Sequence, residues 1–464
     1  MKGRDRYSSA DGFDAGAMFE GTDAFAAPPE RPRRGRSIEN MRRALMRSNT
    51  RLLLSAVMLF QFTAMLLVSL QEQPVDMQAL LLAVCLPAAT WLTTMVFGRL
   101  WPIDRAILIL ALLLCSVGII TLSDIARAKI TPLTQAVYAL IGLIAMAAGV
   151  AFIRSVRNWK KWILPGMVLC LGALASPWAF GSVQNGARNW ITIIPDQLTL
   201  QPSEFIKPAL ILILAASLAG RPRFAKCLPV VAFAAVCCGI LLIQRDLGAV
   251  LLYFLTTILI YFAATSNWLI TLGGLGVGAL GSIAAYKAFP YVQERIAIWQ
   301  NPWSDPTDSG GQIVQALIAI GSGGLFGMGL GLGRPRNIPL YHSDFIFAAI
   351  AEEFGLIFSI CLLAVYVLII MRGMVVAMNA RTSFHSLTAF GIVTMLGLQT
   401  MLIVGGNTKL IPLTGVTLPL VSSGGSSLVS TFLSFGILLG ISSMNAEDEA
   451  RDIDRLELRE EVDL

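Results

Sequence analysis

Apolar runs of about 20 residues, the length a helix needs to cross a hydrocarbon core of roughly 30 Å, follow one another along most of the chain. They predict twelve spans, at 52–70, 77–97, 103–122, 134–153, 162–180, 204–220, 228–244, 247–265, 268–286, 345–371, 384–405 and 418–443. The fold class implied is an all-α polytopic membrane protein with one large extracellular loop, residues 287–344. Three regions follow: a disordered basic cytoplasmic tail over 1–51, a membrane domain over 52–445, and a charged cytoplasmic tail over 446–464.

The polar breaks carry a sidedness. Arg33, Arg34, Arg36, Arg42, Arg43 and Arg47 precede the first span and keep the N-terminus inside. Counting on from there puts Arg99 and Arg105, then Arg154, Arg157, Lys160 and Lys161, in cytoplasmic loops. Arg221, Arg223 and Lys226 join them, then Arg372 and Arg381, while Arg127 and Lys129 fall outside. An even number of spans returns the C-terminus to the cytoplasm. The polar stretches 181–203, 244–247, 287–344 and 406–417 then all meet on the extracellular face.

Composition supports this reading. Of 464 residues 55% are hydrophobic and 14% charged, and the mean hydropathy is +0.70, where soluble domains carry about 25% charged residues. The net charge of +6 is what basic cytoplasmic loops produce, so no nucleic-acid partner is implied. The cysteines (Cys85, Cys115, Cys170, Cys227, Cys237, Cys238, Cys361) lie in or beside apolar segments without CxxC spacing and read as small core residues. The polar first fifty residues are not a cleavable signal peptide.

Ionisable groups at a membrane boundary are costly to desolvate and mark candidate sites. The stretch from Asn301 to Leu356 holds most of them. Its glycine run GSGGLFGMGLGLG (321–333) lacks a following GK[ST] and a strand context, so it reads as close backbone packing and a partly embedded path, not as a phosphate loop. Gln312 to Ile320 has helical apolar spacing suited to an interface. His342 and Asp344 follow, with Asp344 at a helix start, where an ionised carboxylate is favoured. A plain N-cap would explain Asp344, but not Glu352 and Glu353 one to two turns deeper.

Three further constellations stand out. Glu204 and Lys207, three apart after Pro202, share a helix face and either form an interfacial ion pair or, with Arg188, line a cavity entrance. Arg245 and Asp246 read first as a self-neutralised turn. In 407–430, Lys409, two prolines, Gly424, Gly425 and the hydroxyls of Ser422, Ser423, Ser426 and Ser427 interrupt the apolar pattern. Those hydroxyls either donate to an anionic ligand or bond neighbouring helices.

NPWSDP, GSGGLFGMGLG, HSDFIFAAIAEEFG and PLTGVTLPLVSSGGSS, with QPSE and its lysine and the DLG turn, occur in an order and spacing that resembles the SEDS family of bacterial cell-shape, elongation, division and sporulation proteins. The resemblance covers roughly residues 160–445, and its specificity lies in the combination. It implies a peptidoglycan glycosyltransferase of the cell membrane that polymerises lipid II beside a class B penicillin-binding protein, with a membrane cavity opening outward. It makes Asp344 the essential aspartate and aligns QPSE with Gln201, Pro202, Ser203 and Glu204, with Lys207 as the associated lysine. Ser422, Gly424, Gly425, Ser426 and Ser427 match the hydroxyl and glycine motif. Departures are Arg245 where the family has proline, Ser423 where it has tyrosine, Pro339-Leu340 where Pro-Glu is usual, and two spans beyond the usual ten, early in the chain.

The implied reaction is glycosyl transfer from an undecaprenyl-diphosphate donor to a sugar hydroxyl. Asp344 would be the catalytic residue, as general base or as ligand of a divalent cation (Mg or Mn) at the diphosphate. Arg188, Glu204, Lys207, His342, Lys409, Ser422 and Ser426 are the substrate-binding candidates, and Arg334 and Arg336 offer further positive charge for diphosphate departure. Lipid II transport and a non-catalytic scaffold for a penicillin-binding protein are the rival readings. The first predicts headgroup flipping without synthesis; the second predicts that the cavity acids are dispensable.

Overall fold

A computed structural model describes residues 34–71, 75–125, 132–156, 158–184, 187–194, 198–220, 224–304 and 310–462. Arg127, Lys129, Arg221 and Arg223 lie outside the described residues. The chain divides into two units, residues 1–49 and 50–464. Within the first, the described part is helical from Arg34.

The second unit is all-α in its architecture. Eleven helices among the described residues are long and apolar enough to cross a membrane. In chain order the helices are α1 (Arg34–Leu70), α2 (Met77–Leu100), α3 (Arg105–Ile125), α4 (Pro132–Ser155), α5 (Ile163–Phe180), α6 (Pro202–Leu218) and α7 (Phe224–Ile243). Next come α8 (Leu247–Thr265), α9 (Trp268–Ala288), α10 (Pro290–Gln300), α11 (Gly311–Gly323), α12 (Ile346–Met378), α13 (Ser383–Asn407) and α14 (Gly425–Val462). The predicted span at 204–220 is α6, whose 17 residues reach roughly 25 Å at 1.5 Å per residue. It is almost wholly buried among its neighbours, so it forms the centre of the bundle rather than a lipid-facing wall.

Local chemistry fixes several helix starts. Asp76, Asp246, Asn267 and Thr382 each accept hydrogen bonds from first-turn N–H groups of α2, α8, α9 and α13. Pro202 and Pro290 begin α6 and α10, where a missing N–H costs nothing. The charged C-terminal end of α14 continues as helix and is tied back by Arg154 to Glu447 at 2.8 Å and Arg381 to Asp448 at 3.5 Å.

The structure departs from the sequence expectation at two places. The polar stretch after α5 folds into a small antiparallel sheet of β1 (Gly181–Gln184), β2 (Ala187–Ile194) and β3 (Leu198–Leu200), in that order. Aromatic Trp190 and the β-branched Ile191 and Thr192 suit a pleated ribbon. In addition, the span expected from 418 becomes helical only at Gly425. Leu418, Leu420 and Val421 are apolar and buried, but Pro419 and the hydrogen bonds of the following serines hold them as turns.

The long loop is largely folded. α10 and α11 occupy it, and α11 buries Ile313, Ala316 and Ala319 against Ile338, Phe345 and Ala348. The glycine run fills a break in α12, where Gly355 sits at φ +83°. Met328 and Gly329 donate their N–H groups to the carbonyls of Glu352 and Glu353 at 2.9 and 3.0 Å. Leu356 and Ile357 donate to those of Gly324 and Leu325 at 3.0 and 3.2 Å. The loop thus satisfies the backbone groups that the break would orphan, the condition for irregular backbone at membrane depth.

Candidate functional site

Asp344 lies two residues before α12, half-buried, in a turn held from the segment between α13 and α14. Ser423 donates both its hydroxyl (2.8 Å) and its N–H (2.9 Å) to the His342 carbonyl. Ser422 donates its hydroxyl to the Ser343 carbonyl at 2.7 Å and accepts from the Leu418 N–H at 2.8 Å. Asn407, fully buried at the end of α13, donates to the Asp344 carbonyl at 2.8 Å. Three successive carbonyls are therefore fixed by three side chains from a later part of the chain.

The carboxylate itself faces a charged surrounding. Burial pushes the Asp344 carboxyl up to about 6, Asp246 adds to the rise, and the Ser343 hydroxyl and the Arg295 guanidinium oppose it. Gly415, at φ +73°, leaves room beside it: a Cβ there would stand 3.7 Å from Asp344 Oδ2.

Asp246 is the second acid. Its Oδ1 caps α8 through the Ala249 N–H at 3.0 Å, and its Oδ2 accepts from Gln201 Nε2 at 3.1 Å and Asn189 Nδ2 at 3.3 Å. Burial raises its pKa, while the Ala249 N–H, Lys207 and Asn189 lower it. Asp246 thus joins the β2 ribbon, the start of α6 and the start of α8.

Glu204 and Lys207 form a buried pair, the ammonium 2.8 Å from both carboxylate oxygens and 3.3 Å from Gln399 Oε1. Gln399 in turn donates to the Thr417 carbonyl at 2.8 Å. Lys207 also lines a cavity of ≈ 30 Å³ with Gln399, Ser430, Thr431 and Ser434, room for about one water.

One face of α10 closes the other side. Tyr291, Arg295 and Trp299, spaced four apart, donate to the carbonyls of Leu242 (2.8 Å), Leu413 (3.0 Å) and Lys409 (3.1 Å). Arg245 stacks over the Tyr291 ring at 5.5 Å. Among the described residues the Lys409 ammonium has no hydrogen-bond or ion-pair partner.

The expected residues therefore separate into groups. Asp344, Glu204 and Lys207 come to one end of the bundle with Asp246 and Lys409. Arg188 lies on β2, and its side chain falls outside the described residues. Burial lowers the His342 pKa and leaves the ring neutral at pH 7, set edge-on to Tyr341. Ser422 and Ser426 show the protein-bonding side of the alternative given for the hydroxyls. Both bond protein groups, Ser426 accepting from the Gln201 N–H at 3.1 Å and donating to the Thr199 carbonyl at 3.4 Å. Glu352 and Glu353 belong elsewhere: Glu352 accepts from the Arg334 N–H at 2.9 Å, and Gly331 donates to Asp124 Oδ2 at 2.8 Å in the same neighbourhood. These acids face the glycine loop rather than Arg295 and Asp246.

Arg295 and Asn407 were not among the sequence candidates. Arg295 had a weak signal as a lone cation in an amphipathic piece, and Asn407 had none.

The FtsW/RodA/SpoVE model, described as cell cycle protein, matches residues 100–447. The chain belongs to this family. The match begins at the last residue of α2 and ends within α14, so α1 and nearly all of α2 lie outside it. The chain is similar to the peptidoglycan glycosyltransferase RodA of Mycobacterium tuberculosis, 33% identical over 66% of this chain and 69% of that one. It is 36% identical to a probable peptidoglycan glycosyltransferase FtsW of a Geobacter species over 73% and 96% of the two chains. Among solved structures it resembles a chain of a peptidoglycan synthase complex that coordinates polymerization and crosslinking, with TM-score 0.63, 29% identity, and coverage of 74% and 98%. A SEDS-family member of this kind has a role in cell-wall synthesis of the glycosyltransferase type.

Proposed function

We propose that this SEDS protein polymerises lipid II into glycan strands, with Asp344 as the base that takes the proton of the acceptor sugar hydroxyl. The observation that carries the reading is the state of that carboxyl. It is half-buried, its backbone is fixed on both sides, and it is pushed up to about 6. A base of that strength is ionised at neutral pH and still holds a proton usefully. The bond from the donor's anomeric carbon to the diphosphate breaks as the hydroxyl oxygen attacks that carbon, and the diphosphate leaves with the lipid. Arg295 and Lys409 are the cations placed to offset its charge, with Arg245 beside them.

A divalent cation fits this site only as a shared ligand. Among the described residues no group of three or more His, Cys, Asp or Glu side chains is arranged to hold one. Asp344 would supply a single carboxylate beside diphosphate oxygens, which is how Mg²⁺ commonly binds. When bound, it would offset charge on the diphosphate.

The basic ends of α2 and α4 and the Arg372–Arg381 turn support an orientation with both termini cytoplasmic and Asp344 outward. The likeness to a chain of a synthase complex supports a class B penicillin-binding protein as partner. The deciding experiment reconstitutes the protein with lipid II and such a partner, with and without Mg²⁺. Asp344→Asn, folded and at equal amount, is expected to make no polymer; polymer at the parent rate would overturn the assignment.

A further inference from the structure

Asn407 ends α13, five residues before Pro412, and is fully buried. Its side chain spends both donors on protein. Nδ2 donates to the Asp344 carbonyl at 2.8 Å and to the Ile403 carbonyl at 2.9 Å. Oδ1 accepts from the Ala348 N–H at 3.1 Å. The two carbonyls and the single N–H fix which end of the amide is nitrogen. No donor remains for a ligand.

The Ala348 N–H belongs to the first turn of α12, which lacks an intrahelical partner. Phe345, at the cap position, offers no side-chain acceptor. Asn407 therefore caps α12 from another helix and, with the same amide, grips the carbonyl of Asp344. The Ile403 bond stops the amide from turning on its own helix. Ser422 and Ser423 fix the two preceding carbonyls but do not reach Asp344. One side chain thus couples the residue carrying the carboxylate to the helix that follows it.

We infer that Asn407 is a positioning residue that sets the placement of the Asp344 carboxylate against the acceptor hydroxyl. This rests on the reading of Asp344 as the base. Asn407 touches no substrate, so its loss leaves binding of the lipid-linked donor intact and misplaces the carboxylate. A displacement of about 1 Å in a reacting group costs up to about a hundredfold in rate.

The test uses the full chain with its partner and purified lipid II, comparing Asn407→Ala, Asn407→Ser and Asp344→Asn. Ser is the milder change: its hydroxyl bonds its own helix carbonyl and reaches neither Asp344 nor Ala348. The expected result is a loss of kcat of about tenfold to a hundredfold for both Asn407 variants, with KM for lipid II within about twofold. Amide exchange would rise over residues 343–349 and stay at parent rates in α6 and α8. A folded Asn407→Ser protein with parental kcat, or with its loss carried by KM, would overturn the inference while an inactive Asp344→Asn leaves the base assignment standing. An active Asp344→Asn would remove both.

Discussion

The Lys207 ammonium sits 2.8 Å from each carboxylate oxygen of Glu204, with both side chains buried in the centre of the bundle. Removing one member strands the other charge away from water, a loss of about 3–5 kcal/mol. Lys207→Met and Glu204→Leu are each expected to lower the thermal midpoint in detergent sharply. The double replacement should recover much of the loss, because an apolar pair leaves no stranded charge. Midpoints that simply add across the three proteins would contradict this coupling.

Asp344 predicts a pH-dependent trade between stability and activity. Its folded-state pKa is raised from 3.8 to about 6, so the folded protein binds this proton more tightly than the unfolded chain. The group destabilises the fold as pH rises from about 4 to about 6, and the penalty is complete above that window. Asp344→Asn is therefore expected to raise the thermal midpoint at pH 7.5 while abolishing polymerisation. Its advantage should fade as pH falls below 6. A midpoint equal to the parent's at pH 7.5 would count against the burial argument.

Turnover of the parent protein should decline on the acid side with a midpoint near pH 6, as Asp344 takes up its proton. Burial lowers the His342 pKa from the ordinary imidazole value, and the limb is assigned to Asp344. A His342→Gln protein should keep the same acid limb; a limb that moves with this change would reassign it to the imidazole.

Gly415→Ala places a methyl 3.7 Å from Asp344 Oδ2 at a backbone φ of +73°. The left-handed conformation alone costs a residue with a Cβ roughly 1–2 kcal/mol. The expected outcome is a modest fall in stability with a larger fall in polymer yield, read from thermal midpoint and product length on one preparation.

Ser422→Ala removes the hydrogen bonds to Ser343 and Leu418 in a buried turn, worth about 1–3 kcal/mol when groups are left unpaired. Lipid II binding is expected to be unchanged, because the single hydroxyl donor goes to the Ser343 carbonyl. A selective loss of binding would restore it as a substrate ligand.

The spans were readable because apolar length is a one-dimensional property, and Asp344 was readable because a carboxylate at a membrane boundary stands out in composition. The late start of α14 was not: Leu418 to Val421 is as apolar as a helix, and the bonds from His342 and Ser343 that hold it as a turn come from about 80 residues away. The ribbon at 181–200 was hidden because its short runs, interrupted by Pro195 and Asn185, read as loop. The roles of Arg295 and Asn407 were hidden for the same reason as the turn. Their meaning lies in carbonyls of Leu413 and Asp344, 118 and 63 residues distant, and a backbone carbonyl leaves no mark in a sequence.

The side chains that fix the carbonyls of His342, Ser343 and Asp344 all come from residues made after them. During synthesis Asp344 leaves the ribosome 63 residues ahead of Asn407 and 78 and 79 ahead of Ser422 and Ser423, the serines that fix its neighbours. A nascent chain with α12 already in the bilayer therefore carries its carboxylate on a turn that lacks these three anchors. Competence comes only with the arrival of α13 and the segment before α14, so a truncated product would lodge in the membrane as an inert species rather than as an unregulated polymerase.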